Sequence, residues 1–351
     1  MQIVNAFRRG ISTFTVTGLL ALGSLSAQAQ STANYKVTPS NADYIAADTA
    51  DSKTHVMFAN TDAAVAARKA GIKIQNNEAS SAPKNAASTI PLVLYPADLT
   101  FQGGPVLTTT EHHAVYLHPN GVCPSVSSCW GNPEGFLRDL GRSQFIHVVD
   151  QYVGSSDDNR YTVGFNADVS FSLTGNMLTR GDLFAILHAV ASATNATSYT
   201  HMYHLFLPQG FDTCLSSTQC YSPDNPSTFY FCAYHGAVTF SDIGHVIYSV
   251  EPYQALPGCH VAAPRPNSEL IDSTNSVLSH EVFEAITDPD LNAWWNRSSL
   301  DLEGAEIGDE CQPLYNAGFL VPTFRIGRNT YEVQLEYSNS GHRCVARPSD
   351  E

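Results

Sequence analysis

Residues 278–289 read LSHEVFEAITDP, and this stretch carries the hypothesis for both fold and function. It places an imidazole, His280, and a carboxylate, Glu284, four residues apart. Positions i and i+4 lie on the same face of an α-helix, so both side chains would point toward one place. The spacing therefore predicts a helix that offers two metal ligands from a single turn.

Apolar residues at helical spacing surround this pair and would bury the helix against the rest of the protein. They include Val277, Phe283 and Ile286. Pro289 cannot continue a helix and is expected to end it. Candidates for the N-cap that begins the helix are Asp272, Ser273 and Thr274.

The pattern is typical of zinc hydrolases, in which a helix supplies two ligands and a glutamate beside the first ligand activates a metal-bound water. Glu281 is the candidate general base. The common motif has a second histidine where this chain has Glu284. A carboxylate binds zinc, but its negative charge makes the bound water less acidic, so the substitution predicts slower catalysis or none.

A third ligand is expected from an acidic segment that follows the helix. Its four carboxylates are Glu303, Glu306, Asp309 and Glu310. Glu306 and Asp309 are three residues apart, so a helical turn could aim both at the metal, and either is a candidate. Cys311, if it forms a disulfide, would hold this segment in place.

Four further residues are candidates for supporting or substrate-binding contacts. His235, in CAYHG, either reaches the metal or is an ordinary hydrogen-bonded core histidine. The others are Asp288, Trp294 and Trp295, and the tryptophans could form a binding platform, for example for carbohydrate, or pack in the core. His201 and His204 lie on a predicted strand with their side chains on opposite faces, which argues against shared ligation.

The N-terminus predicts export. Residues 1–29 combine Arg8 and Arg9, an apolar run and a final Ala-Gln-Ala, as in a secretory signal peptide, so no membrane anchor is expected after cleavage. The formal charge of −15 makes nucleic acid an improbable partner. Eight cysteines suit four disulfides in a secreted or periplasmic protein. Short loops favour the pairs Cys123–Cys129 and Cys214–Cys220, and the remaining connectivity stays open.

Three regions are predicted along the chain. After the signal peptide, residues 30–88 read as a low-complexity tail or propeptide with one helix at residues 62–70. This tail lacks a cysteine switch, and its His55 is a poor substitute for one. Residues 89–351 alternate strand-like and helix-like segments, with helical spacing at 133–152 and 182–194. They predict one disulfide-bonded α+β domain, zincin-like, with a mixed sheet and an active-site helix.

Three blocks in one order, SHEVFEAITDP, LNAWW and EIGDEC, carry a family resemblance. They resemble the corresponding blocks of the secreted phosphate-induced, EXORDIUM-like family of plants and its bacterial relatives, and weaker similarity extends over roughly residues 92–344. The resemblance implies an extracellular protein with a shared metal-like site. Its implied positions are His280, Glu281, Glu284, Glu306 and Asp309. Plant members are growth-associated proteins of the apoplast without an established reaction.

Two functions follow from these observations. The first is a secreted zinc-dependent hydrolase, most simply a peptidase acting on peptide or protein substrates. Here His280, Glu284 and Glu306 or Asp309 hold Zn²⁺, and Glu281 is the base. The second is a non-catalytic extracellular binding or growth-signalling protein, in which the same residues hold a structural ion or a vestigial site.

Overall fold

The computed structural model describes residues 32–36, 53–69, 97–261, 263, 265–297, 303–312 and 323–350. The predicted signal peptide at residues 1–29 lies outside this range. So do residues 70–96, which include the predicted domain boundary at residue 89.

Most strands in the described part of the chain are short, and the two longest have ten residues each. They are β1 (Thr32–Lys36), β2 (Lys53–Phe58), β3 (Thr100–Phe101), β4 (Thr110–Pro119), β5 (Tyr161–Val163), β6 (Asn166–Phe171), β7 (Met177–Thr179), β8 (His201–Phe206), β9 (Asp212–Cys214), β10 (Cys220–Tyr221), β11 (Phe231–Phe240), β12 (Gly244–Glu251), β13 (Trp294–Trp295), β14 (Thr323–Ile326), β15 (Asn329–Glu332), β16 (Glu336–Ser338) and β17 (Arg343–Val345).

Two long α-helices and several short ones accompany these strands. They are α1 (Asp62–Lys69), α2 (Val126–Cys129), α3 (Pro133–Leu140), α4 (Asp150–Val153), α5 (Arg180–Thr194) and α6 (Glu269–Thr287), with 3₁₀ turns at Ile146–Val149 and Pro348–Asp350. Within the described ranges, none of the helices has the length and apolar character needed to cross a bilayer.

One mixed sheet organises the fold. Its strand order is β1-β6-β4-β8-β12-β11-β2, and β5 also pairs with β4. The pairs from β1 to β12 are parallel, whereas β12–β11 and β11–β2 are antiparallel. This arrangement confirms the α+β class with a mixed sheet.

The two faces of the sheet support separate apolar cores. On one face, α5 packs Leu183, Leu187 and Val190 against strand residues such as Leu205. On the other face, α6 and α3 pack with strand residues such as Ile247. Helix α6 is therefore held between the sheet on one side and the C-terminal strands on the other.

Helix α6 begins earlier than predicted. Its N-cap is Ser268, whose hydroxyl accepts a hydrogen bond from the Ile271 amide at 3.2 Å, so the predicted cap at Asp272, Ser273 or Thr274 is wrong. Those three residues lie inside the helix and are buried. The helix ends at Thr287, two residues before Pro289, as predicted.

The predicted helical segment at residues 133–152 is broken into α3, a 3₁₀ turn and α4. A Cβ at Gly141 would lie only 2.1 Å from the Tyr161 carbonyl oxygen, so the chain passes too close to β5 for another residue there. The Ser143 hydroxyl then accepts from the Ile146 amide and starts the next turn. Helix α5, by contrast, spans the predicted range at 182–194 and begins two residues earlier.

All eight cysteines are paired. The bonds join Cys123 to Cys129, Cys214 to Cys220, Cys232 to Cys259 and Cys311 to Cys344. The two short-loop pairs are confirmed. The Cys311–Cys344 bond anchors the acidic segment to β17, as expected for a bridged Cys311.

The segment predicted as a tail contributes to the sheet. Strand β2 pairs with β11 and buries Val56, Met57 and Phe58, and helix α1 follows where a helix was predicted. The predicted boundary at residue 89 therefore does not mark the beginning of the folded domain. Apolar side chains on the strand explain the difference, because burying each is worth about 1.5–3 kcal/mol.

We expect β2 to be required for stability. A chain that begins at residue 70 should lose the buried side chains of β2 and melt at least about 10 °C lower than a chain that begins at residue 30. Thermal unfolding followed by circular dichroism measures this. Equal melting temperatures for the two chains would show that β2 is dispensable.

Candidate metal centre

Histidine and carboxylate side chains from three parts of the fold meet beneath the sheet. Helix α6 supplies His280, Glu281 and Glu284, the segment 303–312 supplies Glu306 and Asp309, and the strands β2 and β11 supply His55 and His235. All seven side chains are fully buried. We refer to these seven residues as the buried cluster.

Helix α6 aims its two predicted ligands at the same place. The Nε2 atom of His280 lies 3.0 Å from Oε1 of Glu284, one turn later. On the other edge of the imidazole, the side-chain amide of Gln334 lies 3.1 Å from Nδ1 and fixes the ring. The predicted convergence of His280 and Glu284 is therefore present in the structure.

The acidic segment reaches the helix because it contains a glycine. A Cβ at Gly308 would stand 2.5 Å from Nδ1 of His280, so only glycine lets the backbone lie against that ring. The Glu310 amide donates to the Glu306 carbonyl, which forms the predicted helical turn. As a result both Glu306 and Asp309 point into the buried cluster, and the Asp309 amide donates to Oε1 of Glu284 at 3.2 Å.

The sheet contributes two histidines from directly opposite positions. His55 of β2 pairs in register with His235 of β11, so both side chains project from the same face. Nε2 of His55 lies 2.7 Å from Oδ2 of Asp309, and Nδ1 of His235 lies 3.2 Å from Oε2 of Glu281. The sheet therefore contributes two imidazoles that contact carboxylates of the acidic segment and of α6.

The buried cluster contains three groups of potential metal ligands, all sharing Glu284. The groups are His280–Glu284–Asp309, His55–Glu284–Glu306 and His235–Glu281–Glu284, and in each the ligand atoms lie within 4.8 Å of one another. Buried His, Glu and Asp side chains that could hold a metal ion are thus present. Both Glu306 and Asp309 belong to these groups, so both candidates for the third ligand are in place.

Many of these ligand atoms reach no hydrogen-bond partner among the described residues. On the histidines they are Nδ1 of His55, Nε2 of His235 and Nε2 of His280; on the acids they are Oε1 of Glu281, Oε2 of Glu284, both oxygens of Glu306 and Oδ1 of Asp309. Buried polar atoms in proteins are almost always paired, and each unpaired one costs about 1–3 kcal/mol. The buried cluster therefore concentrates unpaired ligand atoms in one place, and these atoms could hold a cation.

Burial and mutual repulsion shift the pKa values of the carboxyl groups. Burial, then the charge of Glu284, raises the pKa of Glu281 well above its usual range; burial and then Asp288 do the same for Glu306. Burial also disfavours the Glu284 anion, but His280 and His55 outweigh it and lower that pKa overall. Glu284 therefore stays ionised more readily than Glu281 and Glu306.

The pKa values of the three histidines also shift in different directions. Burial lowers the pKa of each, but Glu284 and Asp309 more than compensate at His55 and His280, where the net shift is upward. At His235 burial prevails and the pKa falls, which leaves a neutral imidazole that can bind a metal.

A buried polar chain runs across the sheet beside the cluster. His112 contacts His204 at 2.9 Å, His204 contacts the Ser249 hydroxyl at 2.8 Å, and that hydroxyl donates to Glu251 at 2.7 Å. Ser249 is in register with His235 on the neighbouring strand. Burial raises the pKa of Glu251 to about 8. These polar side chains therefore lie next to the buried cluster on the same face of the sheet.

Asp288 lies at the end of α6 and holds the turn that follows. Its Oδ1 accepts hydrogen bonds from the amides of Asn292 and Ala293, each at 2.6 Å. Burial raises the pKa of Asp288 to about 7. Its role in the structure is to support the turn that carries the Trp pair, and it belongs to none of the three ligand groups.

The remaining predicted residues lie outside the ligand groups. Trp294 donates from Nε1 to the Tyr152 carbonyl at 2.9 Å, and both Trp294 and Trp295 belong to the small β13–β3 sheet, so a carbohydrate platform stays a prediction. Glu310 bonds to Asn296, and Glu303 belongs to none of the groups. His201 and His204 contact different partners, His113 and His112, in line with their predicted opposite faces.

Sequence reasoning missed His55 as a member of the site. The residue lies 254 positions before Asp309, which it contacts, and no local spacing links the two. The only available signal was the apolar strand-like run around it, KTHVMF. For His235 the sequence leaves open a metal contact or a hydrogen-bonded core position, and this residue lies in the buried cluster.

Compared with known proteins, the chain matches no family model, no curated protein and no solved structure. The resemblance to the EXORDIUM-like family and the zincin-like description therefore rest on the sequence blocks alone.

The cation-free protein should lose stability as the pH rises from about 6.5 to 8. Glu251 and Glu310 have folded-state pKa values of about 8, raised by burial from their ordinary value, so the folded chain keeps protons that the unfolded chain releases. For each of these two groups, the free energy of unfolding should fall by about 2 kcal/mol between pH 6.5 and pH 8.

Thermal melts in a chelator at several pH values measure this loss. Saturating zinc should reverse the trend, because protons compete with the cation for the ligands at low pH. A cation-free protein that becomes more stable between pH 6.5 and 8 would contradict the assignment.

Proposed function

We propose that this is a metal-binding protein whose buried cluster holds a divalent cation in the interior, where the ion stabilises the fold. The cation joins α6 to the segment 303–312 through His280, Glu284 and Asp309. Four disulfides suit an oxidising compartment, so we place the protein outside the cytoplasm, in line with the predicted signal peptide.

The observation that carries this proposal is the set of unpaired ligand atoms in a place without solvent. Oδ1 of Asp309 is fully buried and without a hydrogen-bond partner, and Nε2 of His280 faces only carboxylate oxygens, those of Glu284 and Asp309. Within the described parts of the chain, no Lys or Arg forms an ion pair with Glu281, Glu284, Glu306 or Asp309. A cation is the partner that suits both imidazole nitrogen and carboxylate oxygen.

Complete burial favours a structural role over catalysis. A catalytic zinc site keeps one coordination position open to water and substrate, whereas a structural site is closed by protein. Here β2, β11, α6 and the acidic segment surround the ligands, and each member of the buried cluster has no exposed surface. A non-catalytic protein with a structural ion therefore suits this site better than a zinc hydrolase does.

The metal should be retained on purification and lost when His280 is removed. We expect His280→Ala to lower metal content measured by plasma mass spectrometry and to lower the melting temperature, whereas exposed His342→Ala should change neither. A chelator should destabilise the wild-type protein by about 4 kcal/mol if the free cation stands near 1,000 times its dissociation constant. Stable wild-type protein without stoichiometric metal would contradict the proposal.

A second candidate function is hydrolysis, favoured by the position of Glu281. Its carboxylate follows His280 directly on α6 and shares a ligand group with His235 and Glu284. A bound cation would supply a Lewis acid and an activated water. Burial raises the pKa of Glu281, and its carboxyl group would have to be ionised before it could accept a proton from that water. Substrate entry would further require β2 to move.

A peptide-library digest with zinc-loaded protein tests the hydrolase. Cleavage should disappear in Glu281→Gln while metal content is unchanged, because the amide keeps the shape but cannot act as a base. Glu269→Gln, at the exposed first turn of the same helix, is the matched control and should cleave normally. Absence of cleavage by the metal-loaded wild type would leave the structural role as the function.

A further inference from the structure

We propose that the buried cluster is a dinuclear centre, in which two divalent cations are bridged by the carboxylates of Glu284 and Asp309. This inference rests on the proposed function, namely that the cluster binds a divalent cation at all. It adds a second ion and assigns the ligands that would hold it.

The two oxygens of Glu284 face different histidines. Oε1 lies 3.0 Å from Nε2 of His280, whereas Oε2 lies 3.8 Å from Nε2 of His55 and 3.5 Å from Nδ1 of His235. A carboxylate that served one ion would turn its oxygens toward one set of ligands. The orientation of Glu284 instead suits one ion on each side of the carboxylate.

Asp309 repeats this division. Its Oδ1 lies 4.0 Å from Nε2 of His280, and its Oδ2 lies 2.7 Å from Nε2 of His55. Two carboxylates that both span the space between the same two histidines form the double bridge expected when two ions lie about 3.5–4 Å apart.

The ligands left over after one ion is placed are enough for a second. An ion at His280, Glu284 and Asp309 leaves Nε2 of His55, Nδ1 of His235 and Oε2 of Glu281 on the other side of Glu284. Nδ1 of His235 lies 3.2 Å from Oε2 of Glu281, and both this nitrogen and Nε2 of His55 face Oε2 of Glu284. A second ion between these three side chains would share Glu284 and Asp309 with the first, and Glu306, 3.1 Å from Nδ1 of His55, would hold that ring from its other edge.

Two ions would also balance the charge of the buried cluster. The cluster holds four carboxylates, Glu281, Glu284, Glu306 and Asp309, and three histidines that are neutral as ligands. Two divalent cations neutralise all four carboxylates in their ionised, metal-binding form, whereas a single ion requires two of them to keep their protons. An uncompensated buried charge is among the most costly features in a protein interior.

The test is the metal stoichiometry of the full folded chain. Protein stripped with a chelator is reloaded with Mn²⁺ and dialysed; Mn²⁺ per chain is measured by plasma mass spectrometry, and coupling between ions by electron paramagnetic resonance. We expect two ions per chain with a coupled-pair spectrum. One ion per chain would overturn the pair and leave the proposed function intact, whereas no bound ion would contradict both.

Two variants locate the second ion. His55→Ala should reduce the stoichiometry from two to one and replace the coupled spectrum by that of an isolated ion. His201→Ala is the control. Glu111, His113 and His201 form a separate group of potential ligands where β4 and β8 begin, outside the buried cluster. Two uncoupled ions, or loss of one ion in His201→Ala but not in His55→Ala, would place the second ion there and overturn the bridge. Should His55→Ala fail to fold, the wild-type stoichiometry and spectrum still decide.

Discussion

The absence of solvent around ionisable groups is the constraint on which this structure depends. Three imidazoles and four carboxylates are enclosed by the sheet, α6 and the acidic segment. Removing such groups from water costs several kcal/mol per charge unless a counter-charge replaces the water. The unpaired atoms show that neighbouring side chains do not provide the whole of that compensation. The arrangement could therefore hold a metal ion, which would supply the missing compensation.

Rigid elements surround the buried cluster and fix the positions of its side chains. Helix α6 is buried from Asp272 to Thr287, the Cys311–Cys344 bond ties the acidic segment to β17, and the amide of Gln312 donates to the Phe58 carbonyl of β2. Each of these contacts anchors an element that supplies candidate ligands. Ligand geometry is thus fixed by packing and by a covalent bond, and it does not depend on the long side chains alone.

The sequence predicted those features that arise from local spacing. The pair His280–Glu284, the turn that aligns Glu306 with Asp309, and the two short disulfide loops each span six residues or fewer, so periodicity and loop length are sufficient. The contribution of His55 could not be predicted, because it depends on a β2–β11 pairing between residues far apart in the chain. The broken helix after residue 140 likewise follows from a tertiary contact at Gly141, which composition does not reveal.

The 254 residues that separate His55 from Asp309 have a consequence for how the protein is made. Until the ribosome has passed the acidic segment, the nascent chain lacks part of the buried cluster, so the proposed cation could not bind at the complete site. Contacts of such long range form late and slow the folding of a chain. Binding of the proposed cation would then report that β2 and the last third of the protein have come together.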